Sequence, residues 1–455
     1  MQLDLKKIRK IYLIGIEGAG MSALARILKF KNLDVSGSDE GDHFYNSVLE
    51  SEGISVNNKF SKDNIPPDAD VLIYGTSFKP ETNEELAAAF ESGKPVLTYA
   101  EALAELFNTK FGIAVCGTHG KSTTSAMLSF VLKQSGLDLS AIIGAKIPQF
   151  GGNSIVGQGE YFVIEADEYQ NKLKLYEPKS VILTSVDWDH PDFYPTFAEY
   201  REAFSAFVAR IPKTGFLVVW GDSVATNEAA CSCHGEIIKY GFQTDNDIVI
   251  KKIGAQKFSV AFSEKDLGEF EMRLVGDHNM LNAAAVIAVC QKLQLDMEKV
   301  RTAIKDFQGT SRRFEIIGER NGTVLIDDYG HHPEEIKATL KGARQKYPDK
   351  NIIAVFHPHS FSRTEAFLQD FAQSFDDADQ VIVLDVYGSA REASGNVSSK
   401  DVVNLINKYQ RGKAEYVPTI DEAVKFLQDK IGANDVVLCI GAGNVFEVAE
   451  KLKEK

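Results

Sequence analysis

The residues best suited to chemistry lie in one short run, Gly117-Thr118-His119-Gly120-Lys121-Ser122-Thr123-Thr124. An apolar, strand-like run, Phe111-Gly112-Ile113-Ala114-Val115-Cys116, precedes it, and Ala126, Met127, Phe130 and Val131 follow at helical spacing. Strand, glycine-rich turn, Lys-Ser and helix is the layout of a phosphate cradle, in which backbone N–H groups and the positive end of a helix face an anion. In such a cradle Lys121 would reach the β- and γ-phosphates of a nucleotide, and the Ser122 hydroxyl would hold Mg2+. Val115 stands where the complete pattern has glycine, so an ordinary strand-to-helix turn is the competing reading.

Two acidic clusters follow further strand-like runs. Glu165-Ala166-Asp167-Glu168 ends the run 161–164, and Val186-Asp187-Trp188-Asp189-His190 follows the run 180–184. Ligands of parallel α/β sheets gather outside the carboxyl ends of the strands, so both clusters and the Lys121 turn are expected at one sheet edge. Oxygen ligands there suit Mg2+, with Glu165 the leading carboxylate. His190 reads either as a ligand to a second Mg2+, unusual because imidazole is softer than carboxylate, or as a structural histidine. Asn279 and Asn282, three apart at the start of a helix after Gly276, share one face. Paired amides there could read an adenine edge, or Asn279 could cap the helix. Arg313, in Gly309-Thr310-Ser311-Arg312-Arg313-Phe314, is a candidate clamp on a γ-phosphate or a surface arginine.

The elements that must position these groups alternate strand and helix. A strand over 11–16, the turn Gly15-Ile16-Glu17-Gly18-Ala19-Gly20, a helix over 21–30 and a strand over 34–37 ending at Ser38-Asp39 form a βαβ unit. The glycine spacing is not that of a dinucleotide fingerprint, so a nicotinamide cofactor is not established. A helix N-terminus after Gly20 can still accept a pyrophosphate or another anion. Asp39 would bind a hydroxyl or be a solvated loop acid. Strands over 71–77 and 94–98 and a helix over 101–107 lead to a boundary near Asn108. Short alternating runs between 235 and 276 predict an antiparallel patch beside the main sheet. The last segment predicts strands at 324–326, 352–356, 380–384 and 436–440, with helices such as 334–347 and 364–375. Polar motifs follow each strand: Asp327-Asp328-Tyr329-Gly330-His331-His332-Pro333, His357-Pro358-His359-Ser360-Phe361-Ser362-Arg363-Thr364, Gly388-Ser389-Ala390-Arg391-Glu392 and Gly441-Ala442-Gly443-Asn444. With a second boundary around 317–322, the expectation is a three-domain α/β protein. Its domains are 1–108, Rossmann-like; 109–318, a P-loop ATPase type with the antiparallel patch; and 319–455, again Rossmann-like.

Bulk properties bound the function. The 455 residues are 44% hydrophobic and 25% charged, an ordinary globular composition. A formal charge of −14 argues against a nucleic-acid partner. The five cysteines are few and mostly in apolar surroundings, as in a cytosolic protein with reduced thiols. Cys231-Ser232-Cys233-His234 has no second Cys/His pair at zinc spacing. The N-terminus lacks an apolar signal segment, and no apolar run approaches a membrane span, so the expected location is cytoplasmic, without membrane insertion.

Taken together and in order, seven motifs resemble the Mur ligase family, which builds the peptide of peptidoglycan precursors: Gly15-Ile16-Glu17-Gly18-Ala19-Gly20-Met21, the 117–124 turn, Glu165-Ala166-Asp167-Glu168, Asp189-His190, His278-Asn279-Met280-Leu281-Asn282, the 327–333 run and Phe361-Ser362-Arg363-Thr364. The resemblance covers essentially the whole chain. It implies an ATP- and Mg2+-dependent ligase whose domains bind, in order, a UDP-substrate, ATP and an amino acid. The His119 turn, the His331-His332 run and Gly388-Ser389-Ala390-Arg391-Glu392 favour UDP-N-acetylmuramate and L-alanine as substrates; the alternative is attachment of a recycled murein tripeptide to the same nucleotide.

By the same resemblance, Gly117, Thr118, His119, Gly120, Lys121, Ser122, Thr123, Asn279, Asn282 and Arg313 hold ATP. Ser122, Glu165 and His190 serve the magnesium ions, and Gly18, Ala19, Gly20, Met21, Ser38, Asp39 and Ser77 hold the UDP-substrate. Lys121, His332 and Arg363 lie at the reacting groups, with His332 or a water taking the amine proton and Arg363 meeting the amino-acid carboxylate. Two departures stand out: Glu17 replaces a glycine of the first turn, and Ser360 stands where some members carry a second arginine. No match to a carbamylated lysine is evident, Ser205 occupying that region. Monomer and homodimer both remain open.

Overall fold

The computed structural model describes residues 7–40, 45–263, 265–388, 392 and 394–454. The Ser389-Ala390-Arg391 part of one predicted motif therefore lies outside the described residues. Among the described residues the strands form three sheets, one per domain. No helix among them is long and apolar enough to cross a membrane.

The first sheet is wholly parallel, in the order Ser55–Asn57, Asp34–Ser38, Lys10–Ile14, Val71–Tyr74, Val96–Thr98. Its helix Ala19–Phe30, with Gly18 at the N-cap, begins two residues earlier than the apolar spacing predicts. One face of that helix packs on the second domain. Arg26 Nη1 donates to Ser154 Oγ at 2.8 Å, and Asn153 Nδ2 donates to the Ala19 carbonyl at 2.6 Å.

The central sheet has ten strands. Phe111–Cys116 lies at its heart, flanked in parallel by Ser180–Leu183 on one side and Tyr161–Glu165 on the other. The helices Lys121–Gln134 and Asp277–Lys292 pack together over it, and both are almost entirely buried. Such all-round burial leaves neither helix a broad solvent-facing stripe. The expected antiparallel strands are present, Ile248–Lys252, Lys257–Phe262 and Lys265–Glu271, and they join the edge of the main sheet through Glu236–Gly241. The hairpin Leu139–Ile147 with Gly152–Ile155, rich in small residues and without clean alternation, carries no strand signal in the sequence.

The third sheet runs Glu315–Arg320, Thr323–Asp328, Asp435–Ile440, Asn351–Phe356, Gln380–Val383, Ala414–Tyr416, all parallel except the first. Glu315–Arg320 pairs with Thr323–Asp328, so a boundary at 317–322 would cut a hairpin. The switch between sheets comes earlier, at Arg312 and Phe314, which both adopt left-handed backbone (φ 60° and 51°). The single helix predicted over 364–375 is two, Phe361–Ala366 and Leu368–Ala372. Phe367 breaks it (φ −108°, ψ 20°) and sets its ring against Trp188 of the central domain and His332.

Candidate active site

The cradle forms because the turn after Phe111–Cys116 is clamped to the neighbouring strand end. Thr118 N donates to the Ser185 carbonyl (3.0 Å), His119 N donates to Ser185 Oγ (2.9 Å), and Thr184 Oγ1 donates to the Cys116 and His119 carbonyls. Two glycines are obligatory. Gly117 has φ +130°, and a Cβ there would meet Thr184 Oγ1 at 2.3 Å; Gly120 caps the helix at φ +80°, and a Cβ would meet Asn282 Oδ1 at 2.7 Å. Only glycine tolerates both the backbone and the approach.

Lys121 folds back over this turn. Its Nζ donates to the Gly117 and Thr118 carbonyls (2.5 and 3.0 Å) and pairs with Glu168 at 3.0 Å. Burial opposes the charge of Lys121, but Glu168, Asp167 and Glu165 outweigh it and raise the ammonium above its ordinary range. Burial likewise pushes Glu168 up, and Lys121 and His190 overcome it to hold the carboxyl at about 2. Tyr200 donates its hydroxyl to the same carboxylate at 2.9 Å.

The metal candidates separate into two groups. Ser122 Oγ donates to Glu165 Oε1 at 2.8 Å, and Gly144 N donates to Glu165 Oε2 at 2.6 Å. Ligand atoms of Asp167, Glu168 and His190 lie within 4.8 Å of one another. The hydroxyl–carboxylate pair and the second group's two carboxylates are the hard oxygen donors Mg2+ takes, with His190 the single softer atom. His190 thus sits beside Glu168 and Asp189, not beside Glu165. Among the described residues this is the one His/Cys/Asp/Glu group close enough to hold an ion; Cys231 and Cys233 are not part of any.

A cavity of about 270 Å³ opens where the central and third domains meet. His119, Gly120, Ser122, Thr123, Asn279, Asn282 and Arg313 line it, and Trp220, Tyr240, Leu274 and Leu281 add an aromatic and apolar wall. Asn279 is not the helix cap; that position belongs to Gly276. Its Nδ2 donates to the Val275 carbonyl (2.8 Å) and lies 3.0 Å from His278 Nε2, and its Oδ1 accepts from Asn282 Nδ2 at 3.2 Å. The amides are paired on one buried face.

Arg313 is half-buried in the cleft. It stacks over Tyr329 and pairs with Glu335 at 3.4 Å. Glu335 is a functional neighbour that the sequence pattern does not single out. Burial opposes its charge, but His119, Arg313 and His331 hold the carboxyl well below its ordinary range. The only sequence signal was its place in the first turn of the helix Pro333–Lys346, where acids are common for helical reasons alone.

Two of the residues expected at the reacting groups, His332 and Arg363, are held by partners within the chain. His332 is the N-cap of that helix, its Nδ1 accepting from Glu334 N (3.3 Å), while its Nε2 lies 3.2 Å from the Trp188 carbonyl. A carbonyl only accepts, so the ring is the Nε2–H tautomer with both nitrogens engaged. In that arrangement the Nδ1 lone pair faces the Glu334 N–H. Arg363, 6% exposed, gives its guanidinium to Asp189 at 2.9 and 3.2 Å. Ser360 caps its helix, accepting from Arg363 N at 3.3 Å.

The first domain carries its own cavity, of about 300 Å³, lined by Gly18, Ala19, Gly20, Met21, Asp39 and Ser77, with Phe78, Tyr99 and Lys172. Asp39 is 6% exposed, its Oδ2 accepting from Glu17 N and its Oδ1 from Glu40 N, so it is no solvated loop acid. Ser38 does not reach this cavity. It is fully buried and donates its hydroxyl to Glu85 at 2.6 Å, while its carbonyl anchors Gly15 N and Ile16 N.

Three family models match the chain in order. The one described as Mur ligase family, catalytic domain, matches residues 10–111; the Mur ligase middle domain matches 115–290; the Mur ligase, glutamate ligase domain matches 312–443. A UDP-N-acetylmuramate–L-alanine ligase of Caldanaerobacter subterraneus is 39% identical over 462 residues, covering 100% of this chain and 99% of that protein. One of Desulfitobacterium hafniense is 39% identical over 450 residues, covering 97% and 99%. Among solved structures, a UDP-N-acetylmuramate-alanine ligase of Thermotoga maritima aligns with a TM-score of 0.82 at 27% identity, covering 98% of each chain. A murein peptide ligase of Psychrobacter arcticus aligns with a TM-score of 0.75 at 24% identity over 98% of each, a likeness of fold.

Proposed function

This chain belongs to the Mur ligase family, and from that premise we propose that it joins L-alanine to the carboxylate of UDP-N-acetylmuramate in an ATP-driven reaction. The observation that carries this reading is the 39% identity, end to end, to ligases of that name. The convergence of the cradle, the amide pair and Arg313 on one cleft supports it. In this reading residues 1–108 bind the UDP-substrate, the central domain binds ATP and the third domain binds the amino acid.

A carboxylate is a poor acylating agent. Its oxygen attacks the γ-phosphorus of ATP, ADP leaves, and an acyl phosphate results. The amine of L-alanine then attacks the acyl carbon and inorganic phosphate departs. Two anions must approach for the first step, so cationic groups aimed at the transferring phosphoryl are the main requirement. Lys121 exchanges Glu168 and its two turn carbonyls for phosphate oxygens. Arg313 exchanges Glu335 for the γ-phosphate. Asn279 and Asn282 face adenine against the Trp220 and Tyr240 wall, and His119 and the turn amides cradle the phosphates. Mg2+ at Ser122 and Glu165, with a second ion toward His190, would neutralise phosphate charge and orient the carboxylate. Arg363, held by Asp189, lies on the third-domain side of the cleft, where the amino acid would enter. With both nitrogens of His332 engaged, the amine proton leaves to water.

The test is amine-dependent release of ADP from ATP in the presence of UDP-N-acetylmuramate. L-Alanine triggers it; L-alanyl-γ-D-glutamyl-diaminopimelate does not. Release with the tripeptide alone would assign the recycling reaction instead, and amine-independent hydrolysis would remove the ligase reading.

A further inference from the structure

The cavity around the first glycine turn is completed from another domain. Lys172 lines it together with Gly18, Ala19 and Gly20, yet it belongs to the central domain, in the short helical segment Tyr169–Leu175. It is the one cationic side chain among the described lining residues; the one anionic group is Asp39. The backbone before it is bent into place, with Gln170 and Asn171 both left-handed (φ 57° and 55°). Two consecutive non-glycine residues in that region cost energy that an unspecified loop would shed.

The second observation is what Lys172 holds. Its Nζ donates to Asp167 Oδ2 at 2.7 Å. Asp167 is one of the three residues whose ligand atoms cluster within 4.8 Å, with Glu168 and His190. One ammonium therefore stands between an anion-accepting glycine turn and the acidic group at the phosphate cradle.

Resting on the substrate reading above, we infer that Lys172 binds an oxyanion of the nucleotide sugar, and that in doing so it releases Asp167 to the Glu168–His190 group. The diphosphate at the turn and the carboxylate bound for the cradle are the two oxyanions within that chemistry. An ammonium with three donors can exchange one carboxylate for a phosphate or carboxylate oxygen with no change in its own charge. The freed Asp167 then strengthens the divalent-cation site, so nucleotide sugar and cation favour each other's binding reciprocally.

Calorimetry on the full chain tests this with uridine, UDP-N-acetylglucosamine and UDP-N-acetylmuramate against the wild type, Lys172→Met and Lys172→Arg. Lys172→Met is expected to weaken the nucleotide sugars about 10- to 100-fold, as for a lost charge-assisted hydrogen bond, to leave uridine unchanged, and to be partly rescued by arginine. An equal loss with both sugars assigns the diphosphate, and a loss confined to UDP-N-acetylmuramate assigns the carboxylate. Mn2+ affinity, read by electron paramagnetic resonance, is expected to rise on adding the nucleotide sugar to wild type and not to Lys172→Met. Unchanged affinity for both sugars in Lys172→Met overturns the binding role, and an equal Mn2+ response in both proteins overturns the coupling. A wild type that binds neither nucleotide sugar overturns the substrate reading itself, and this inference with it.

Discussion

Arg363 grips Asp189 across the interface between the third and central domains, Nη2 lying 2.9 Å from Oδ1 and 3.2 Å from Oδ2, with both side chains buried. Burial alone would push the Asp189 carboxyl up, but Arg363 and His190 hold it well below its ordinary range. Removing one partner leaves the other buried and uncompensated, so Arg363→Ala should cost about 3–5 kcal/mol. Denaturant unfolding of Arg363→Ala, Asp189→Ala and the double variant checks this. A double variant less stable than the wild type by the full sum of the two single losses would show that the pair is not coupled.

Lys121→Ala is expected to lower kcat by at least about a thousandfold, the scale for removing a group that stabilises charge in the transition state. UDP-substrate affinity should be unchanged, because the cavity at the first glycine turn does not include Lys121. Calorimetry that finds both activity and UDP-substrate binding lost would contradict separate sites.

Gly120→Ala puts a side chain into left-handed backbone and 2.7 Å from Asn282 Oδ1. The backbone term is about 1–2 kcal/mol, and displacing Asn282 breaks its bond to Asn279. We expect a lower melting temperature together with weaker ATP binding, followed by thermal shift with and without ATP. Asn282→Ala, which removes the obstruction but also the amide, should weaken ATP binding without the backbone cost.

Glu168 predicts an acid limb. Its carboxyl is held at about 2 in the folded protein, against about 4.3 when unfolded. A depressed acid contributes its stabilisation in full above the unfolded value, and loses it as pH falls from about 4 through 2. The contribution is on the order of 3 kcal/mol. Urea midpoints measured between pH 5 and 2 should fall more steeply for the wild type than for Glu168→Gln; parallel curves would sink the assignment.

His278 sets a second window. Burial lowers it to about 4, and its Nε2 lies 3.0 Å from the Asn279 amide nitrogen, a donor that needs the neutral ring. The unfolded chain takes up a proton near pH 6.5 that the folded chain refuses until about 4. Stability from this residue is therefore intact above pH 6.5 and declines between 6.5 and 4. A His278→Asn variant measured by the same titration should lose that slope.

Local chemistry made much of this molecule legible in its sequence. The run 111–124 announced strand, turn and helix because apolar burial, glycine and helical spacing are properties of adjacent residues, and Phe111–Cys116 is observed with those bounds. The polar motifs at 165–168 and 187–190 declared themselves for the same reason, each closing an apolar run. What the chain alone could not state was pairing over distance. Lys121 and Glu168 are 47 residues apart, Arg363 and Asp189 are 174 apart, and His332 spends its ring on a carbonyl 144 residues away. Glu335 and Lys172 looked like ordinary charges on helical segments until folding set one against Arg313 and the other inside a foreign domain's cavity. Residue type and spacing fix which groups are present and which element carries them; the strength, protonation and availability of each depend on which opposite charge and how little water the folded chain brings beside it.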